Sequence, residues 1–348
     1  MKTLVTGGTG FVGSHIVRVL VDAGHEARVL HRASSPLTAL EGVAFESALG
    51  DLTDPDSLRA ACEGIDWVFH VAAVADYWRA DKRVMYDANV DGTCRLLAAA
   101  RDANVRRVVF TSSAAAIGFR PDEQPSDETV PFRLPPSRFP YAHSKALAER
   151  VCAEAVARGQ DIVIVNPVVI FGPGDLNRIS GDLVLATKRL SWTIPVPVGG
   201  VALIDVRDVA RMHVAAARQG RIGERYILGA ENYRHAELLA LTARVVGAPA
   251  PTLPVARWMT PILGELFEVG RALGLPIPID GNQTKLSARR VYFNFDKAWT
   301  ELGKPLVGTP QSIADTWEWY QAHGYASDDA TSRVIARVGR MIGINPPL

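Results

Sequence analysis

Through the first half of the chain, short apolar runs alternate with longer stretches in which apolar residues return every three or four positions. The runs predict strands over residues 3–6, 26–30, 43–47, 66–70, 105–111 and 162–169. The periodic stretches predict helices over residues 11–23, 81–104 and 141–158, and another opening at Pro55 behind Asp54 as its N-cap. Strands separated by such helices are the pattern of an α/β fold with a doubly wound parallel sheet. After Gly172 the alternation loosens. A strand over 201–204, a helix over 206–218 and a strand over 226–228 return toward the sheet. Residues 235–320 are helical in pattern, with breaks at Pro249, Pro251, Pro254, Pro261, Pro276 and Pro278. The expected organisation is a sheet domain over 1–172 plus about 204–228, and a smaller, mostly helical C-terminal domain over 173–203 plus 229–325. Residues 119–140 hold six prolines and little periodicity, the mark of a functional or mobile loop.

Composition narrows the function classes. At 348 residues the chain is too long for one simple core. A formal net charge of +1 favours neither nucleic acid nor an anionic surface as the main partner. Cys62, Cys94 and Cys152 form no CxxC and no disulfide framework, which fits a reducing, cytoplasmic setting. The eight histidines show no metal-ligand spacing, so no metal is expected. There is no signal-peptide pattern, because the apolar run from Leu4 is broken at Gly7. No run reaches 18 apolar residues, and GxSxG is absent. Lysine is scarce, seven against 31 arginines, so a lysine inside a motif carries weight.

Residues 3–13 read TLVTGGTGFVG, and Gly7, Gly10 and Gly13 form a GxxGxxG between a strand and a helix. Such a turn lets backbone approach a pyrophosphate at a helix N-terminus. No Lys-Ser/Thr follows, so an ATP-type loop is not indicated. At the end of the second strand, where an acidic residue would bind the ribose of NAD, the sequence has His31-Arg32-Ala33-Ser34. A guanidinium there suits a 2′-phosphate, so NADP(H) is favoured over NAD(H), with Arg32, His31 and Ser34 as contacts. Tyr141 and Lys145 form a YxxxK, which puts phenol and ammonium on one helix face. A nearby ammonium favours the phenolate and brings a tyrosine, ordinarily near pKa ~10, within range of proton transfer. Thr111-Ser112-Ser113 follows the fifth strand, where a hydroxyl can hold a substrate oxygen; Ser112 reads more simply as a polar strand cap.

With these motifs the chain resembles the extended short-chain dehydrogenase/reductases, the NAD-dependent epimerase/dehydratase superfamily, over about residues 1–325. The likeness rests on TGGTGFVG, Asp51-Leu52, HVAA at 70–73, NVDGT at 89–93, TSSAAAIG at 111–118, YAHSK at 141–145, NPVVIFGPGD at 166–175 and IDVRDVA at 204–210. It looks most like the dihydroflavonol-4-reductase-like group and is similar to hopanoid-associated sugar epimerases. The resemblance implies a Rossmann-type sheet, a substrate domain after it, and a Ser113–Tyr141–Lys145 catalytic set. It implies cofactor contacts from Gly7, Thr9, Gly10, Phe11, Val12 and Gly13, from Asp51 and Leu52 at the adenine, and from Val71, Ala72 and Ala73. Asn89, Thr111, Ser112, Pro167, Val168 and Val169 complete that set; Asn89 is equally read as an anchor of the fold, and His70 as a packed strand-end residue. A homodimer through helices at 88–103 and 141–158 is expected on the same ground.

Ala114 and Ala115 stand where dehydratases of this superfamily carry an Asp-Glu pair, so elimination of water is not expected. Asn166 and Val169 replace the Arg and Asn of the usual sugar-nucleotide segment. A reductase of a ketone or aldehyde is therefore the first reading. A nucleotide-sugar epimerase and a hydroxysteroid- or terpenoid-type dehydrogenase are alternatives, as is a non-catalytic cofactor sensor. Asp76, Tyr77, Trp78, Asn177, Arg178 and Trp192 are the candidate substrate contacts. Residues 326–348 read as a basic amphipathic tail, with Val334, Ile335, Val338, Met341 and Ile342 on one stripe. Packing on its own domain or a subunit is the expectation, and contact with a membrane surface the alternative.

Overall fold

The computed structural model describes residues 1–75, 80–274, 280–326, 330–341 and 344. Seven strands form one parallel sheet: β1 (Lys2–Thr6), β2 (Glu26–His31), β3 (Glu46–Leu49), β4 (Trp67–His70), β5 (Arg107–Thr111), β6 (Ile162–Pro167) and a later strand, Arg225–Leu228. Their order is Arg225–Leu228, β6, β5, β4, β1, β2, β3. This is the Rossmann arrangement, whose strand order reverses between β1 and β4.

Central strands alternate their side chains between two cores. Val5, Val109, Val163 and Val165 face the side covered by α1 (Phe11–Asp22) and a helix at Val206–Gln219. Leu4, Val108, Phe110, Ile162 and Ile164 face α2 (Pro55–Cys62), the helices after β4, and the Pro140–Ala157 helix. Asp54 caps α2 by accepting from the Asp56 N–H, with Pro55 behind it, as the sequence predicts.

Two expected elements are divided. The helix over 81–104 is α3 (Lys82–Tyr86), a π turn at Asp87–Asp91 and α4 (Gly92–Asp102). The strand over 162–169 ends at Pro167, and β7 (Val169–Phe171) leaves the large sheet for a second one. There β7 pairs with β9 (Gly200–Asp205), which also pairs with β11 (Glu231–Arg234) and β13 (Arg290–Val291). β8 (Pro195–Pro197) pairs with β12 (Leu253–Val255), and β10 is the Arg225–Leu228 strand. The helices in chain order are α5 (Pro140–Ala157), α6 (Asp182–Leu190), α7 (Val206–Gln219), α8 (His235–Val245), α9 (Met259–Ala272), α10 (Gly281–Leu286), α11 (Asp296–Leu302), α12 (Thr309–Ala322) and α13 (Ala330–Met341). Phe171, Val184, Leu203, Leu238 and Ile313 form a third core between the small sheet and α6, α8 and α12. The switch at Val168 therefore carries the chain from the cofactor-type sheet directly into the second lobe.

Candidate active site

The turn between β1 and α1 is closed on itself. Gly7 has φ +70°, and a Cβ there would stand 2.7 Å from the Ala72 nitrogen. A Cβ on Gly13 would stand 2.1 Å from the Gly7 carbonyl oxygen. Glycine at both positions lets the ends of β1, α1 and β4 meet through backbone. No side chain caps α1, and Thr9, Gly10, Phe11, Val12 and Gly13 line a cleft of about 1260 Å³. That exceeds the ~300–1,000 Å³ of one small-ligand site, so the cleft has room for two molecules. Uncapped amides at a helix N-terminus suit a pyrophosphate.

At one end, His31, Arg32, Asp51 and Leu52 line the cleft. His31 Nδ1 donates to the Arg32 carbonyl at 3.0 Å and Nε2 accepts from the Ser47 hydroxyl at 2.7 Å. The Asp51 carboxylate accepts from the N–H and the hydroxyl of Thr53, both at 2.8 Å. The Thr53 N–H bond is the main cause holding that carboxyl below its usual range. Arg32 is exposed at the rim. Ser34, expected as a contact, is exposed and does not line the cleft, whereas Ser35 does.

Val71, Ala72 and Ala73 line the middle, and Asn89 does not. Asn89 is buried in the π turn, where its Oδ1 accepts from the Val74 N–H at 2.8 Å. Its Nδ2 donates to the Val74 carbonyl at 3.1 Å and to Ser144 Oγ at 2.9 Å. Every hydrogen-bonding group of that amide is engaged in tying the segment after β4 to α5, so of the two readings the anchoring one fits its surroundings. His70 is likewise packed, between the hydroxyls of Thr6 at 2.8 Å and Thr93 at 3.0 Å. Burial, with Lys145 nearby, lowers its pKa to about 3, so it is a neutral imidazole.

Thr111, Ser112 and Ser113 come off the end of β5 and line the cleft with Tyr141 and Lys145 from the first turns of α5. Tyr141 is nearly buried and Lys145 more so. Lys145 Nζ donates to the Thr111 carbonyl at 2.8 Å and lies 5.1 Å from the Phe110 ring centre. Burial lowers its pKa to about 8, opposed by Cys152 and Glu149. Ser113 Oγ accepts from the Ala115 N–H at 3.2 Å and so caps a short 3-10 turn. Pro167, Val168 and Val169 form the adjoining wall.

Beneath this wall lies a network that motif reading passes over. Glu149 Oε1 accepts from Ser112 Oγ and Asn166 Nδ2, each at 2.5 Å, and Oε2 pairs with Arg225 at 3.0 Å. Asn166 Nδ2 also donates to the Ser113 carbonyl at 3.0 Å. The signal was present in the sequence: Tyr141, Lys145 and Glu149 recur every four residues on one face of α5.

The second-lobe end of the cleft is mainly apolar, with Leu134, Phe139, Leu183, Leu203, Leu238 and Phe293 in its wall. Asn177 lines it. Arg178, at φ +52°, is exposed and does not. Trp192 sits outside the cleft: its Nε1 donates to the Ile335 carbonyl at 3.4 Å, so it underlies α13. Asp76, Tyr77 and Trp78 lie outside the described residues. Among the described residues no group of three His, Cys, Asp or Glu could hold a metal, and no helix is long and apolar enough to cross a membrane.

The sequence profile of the NAD dependent epimerase/dehydratase family matches residues 3–229. The chain belongs to that family. Within the epimerase/dehydratase family it is similar to a Synechocystis sp. protein named as a candidate dihydroflavonol 4-reductase, at 39% identity over 92% of this chain and 95% of the relative. It is also similar to sterol demethylase protein B of Methylococcus capsulatus, at 37% identity over 73% of this chain and 77% of the relative. A solved nucleoside-diphosphate-sugar epimerase from Pseudomonas aeruginosa superposes with a TM-score of 0.79 at 26% identity, covering 94% of this chain and 99% of the other. The protein is thus an extended short-chain, NAD(P)-dependent enzyme of the epimerase/dehydratase family, and both reductases and epimerases stand among its relatives. The glycine cradle and uncapped α1 fit the dinucleotide that this family uses.

Proposed function

We propose that the protein reduces a ketone or aldehyde, or oxidises the matching secondary alcohol, with NADP(H) favoured over NAD(H). The observation that carries this reading is a buried Lys145, on the same α5 face as Tyr141, lining one cleft with Ser113. The dinucleotide, when bound, exchanges a hydride with the carbonyl carbon. Tyr141 gives the proton to the carbonyl oxygen and Ser113 Oγ holds that oxygen. Lys145, charged at neutral pH below its pKa of about 8, favours the Tyr141 phenolate on the return step. Glu149 and Asn166 position Ser113 through its carbonyl. Arg32, exposed at the rim, supports the NADP(H) preference.

Carbonyl reduction is favoured over sugar-nucleotide epimerisation by the charge of the far end. Arg138 is the one cation among the described residues lining it, and Asp182 and Asp280 line it too. A diphosphate would meet more negative charge than positive there. A cytoplasmic homodimer through α4 and α5 completes the reading. The test is reduction of simple cyclic ketones by wild type and Tyr141→Phe, with NADPH beside NADH. We expect NADPH to be preferred and Tyr141→Phe to lose about 10²-fold or more in kcat. Unchanged turnover in Tyr141→Phe would overturn the assignment.

A further inference from the structure

The cleft continues past Ser113, Tyr141 and Lys145 into the second lobe, and its far wall carries an imidazole without a partner. His235 opens α8 directly after β11 and lines the cleft. Other histidine rings here are engaged: His15 with the Pro173 carbonyl, His143 with Tyr86, and His213 with Thr111 and the Val209 carbonyl. The His235 ring makes no hydrogen bond among the described residues, and its backbone N–H donates to the Gly199 carbonyl at 3.0 Å. Burial alone lowers its pKa to about 4. At neutral pH it is an uncharged ring with one N–H to donate and one nitrogen to accept.

The small sheet lies between this ring and the wall at Val169. Val169, at the wall formed with Pro167 and Val168, pairs with Leu203, and Arg234, next to His235, pairs with Gly200. Val169 and Arg234 therefore flank β9 on opposite sides and stand three residues apart along it, so the width of the small sheet separates His235 from that wall. Leu183, Val201, Leu203, Leu238, Val291 and Phe293 line the cleft in the same lobe. They offer an apolar body a surface to pack on, and Ser180, Asp182, Gln283 and Ser287 line the cleft beside them.

We propose that the substrate is a largely apolar ketone or secondary alcohol of more than one ring, bearing a second oxygen at its far end, and that His235 reads that oxygen. The proposal rests on the carbonyl-reductase reading above. A neutral imidazole accepts from a hydroxyl or donates to a carbonyl, so either form of the distal oxygen fits.

The test compares 4-(4-hydroxycyclohexyl)cyclohexanone with 4-cyclohexylcyclohexanone, which lacks the distal hydroxyl, and with cyclohexanone. Reduction and calorimetric binding are measured on full-length wild type, His235→Leu and His235→Gln. We expect the preference for the hydroxylated ketone over the plain one to fall about tenfold in His235→Leu, through KM and Kd, as the loss of one hydrogen bond implies. His235→Gln should restore part of it, and cyclohexanone turnover should be unchanged in both. A preference absent from wild type, or undiminished in His235→Leu, overturns the proposal. Loss of cyclohexanone turnover in His235→Leu overturns it too, because His235 would then act on the chemistry itself. Binding that follows His235 with no ketone reduced by wild type would support the distal site while rejecting the reductase reading.

Discussion

A lysine buried this completely is a destabilising feature kept for its chemistry. Lys145 is lowered from an ordinary 10.5 to about 8 by burial, and its ammonium has the Thr111 carbonyl and the Phe110 face for company. Between those two pH values the unfolded chain binds a proton that the folded protein does not. Stability therefore rises with pH across that window. The difference is worth up to about 3 kcal/mol. Cys62 and Cys152, whose thiols burial pushes up, pull stability the other way in both proteins, so we expect the unfolding free energy of wild-type apoprotein relative to that of Lys145→Met to climb from pH 8 toward 10.5. Equal slopes in urea titrations of the two proteins would refute this origin. The residues readable in advance share one property: their chemistry demands a fixed spacing, as in Tyr141 with Lys145 or Gly7 with Gly10 and Gly13. No spacing singles out Trp192, and the fold sets its indole under α13. His235 gave no signal, because nothing beside it in sequence marks it; β9 and β11 bring it to the cleft.

At the scale of elements, the β1–α1 turn has little tolerance for a side chain. A Cβ on Gly13 would meet the backbone of Gly7 and Gly8, at 2.1 Å from the Gly7 oxygen and 2.8 Å from the Gly8 Cα. No side chain can yield, so the turn itself must shift. Gly13→Ala should lower stability by about 1–3 kcal/mol, seen as a fall in Tm of ~2–4 °C per kcal/mol, and weaken NADPH binding in a fluorescence titration. Gly24→Ala is the control, since its φ of +75° is strained for alanine but nothing lies within 4 Å. It should lose stability and keep NADPH affinity; equal affinity loss in both would show a general effect. The element boundaries that periodicity misplaces have local causes. The apolar run at Val43 and Phe45 packs on the α1 side of the sheet without joining it, and β3 forms three residues later at a mostly exposed edge. A β-branched run through 162–169 reads as one strand, yet the Val168 N–H bonds the Leu228 carbonyl and the next residue pairs with Leu203 in another sheet. Residues 81–104 keep helical period through a π turn, which the pattern alone does not reveal.

At the scale of the whole molecule, the two lobes meet along the cleft, and the tail braces one of them from behind. Asp182, Leu183 and Ala186 of α6 form part of the far wall. The other side of α6 packs against α13, whose backbone accepts from Trp192 at the end of that helix. Gly339 is buried against the same indole: a Cβ there would stand 2.7 Å from Trp192 Nε1. The helix thus has its Gly339 face on its own lobe, while Val334, Val338 and Met341 of the stripe expected to pack are exposed. If α13 holds α6 in place, losing it should loosen only the far wall. Removal of residues 326–348, or Gly339→Val to pry α13 from Trp192, should raise KM for 4-cyclohexylcyclohexanone several-fold. Turnover of cyclohexanone and affinity for NADPH should stay within about twofold, because the β1–α1 cradle and α5 belong to the other lobe. Parallel loss of all three would mean that the tail supports the whole fold. No change in any would mean that α6 keeps its position unaided.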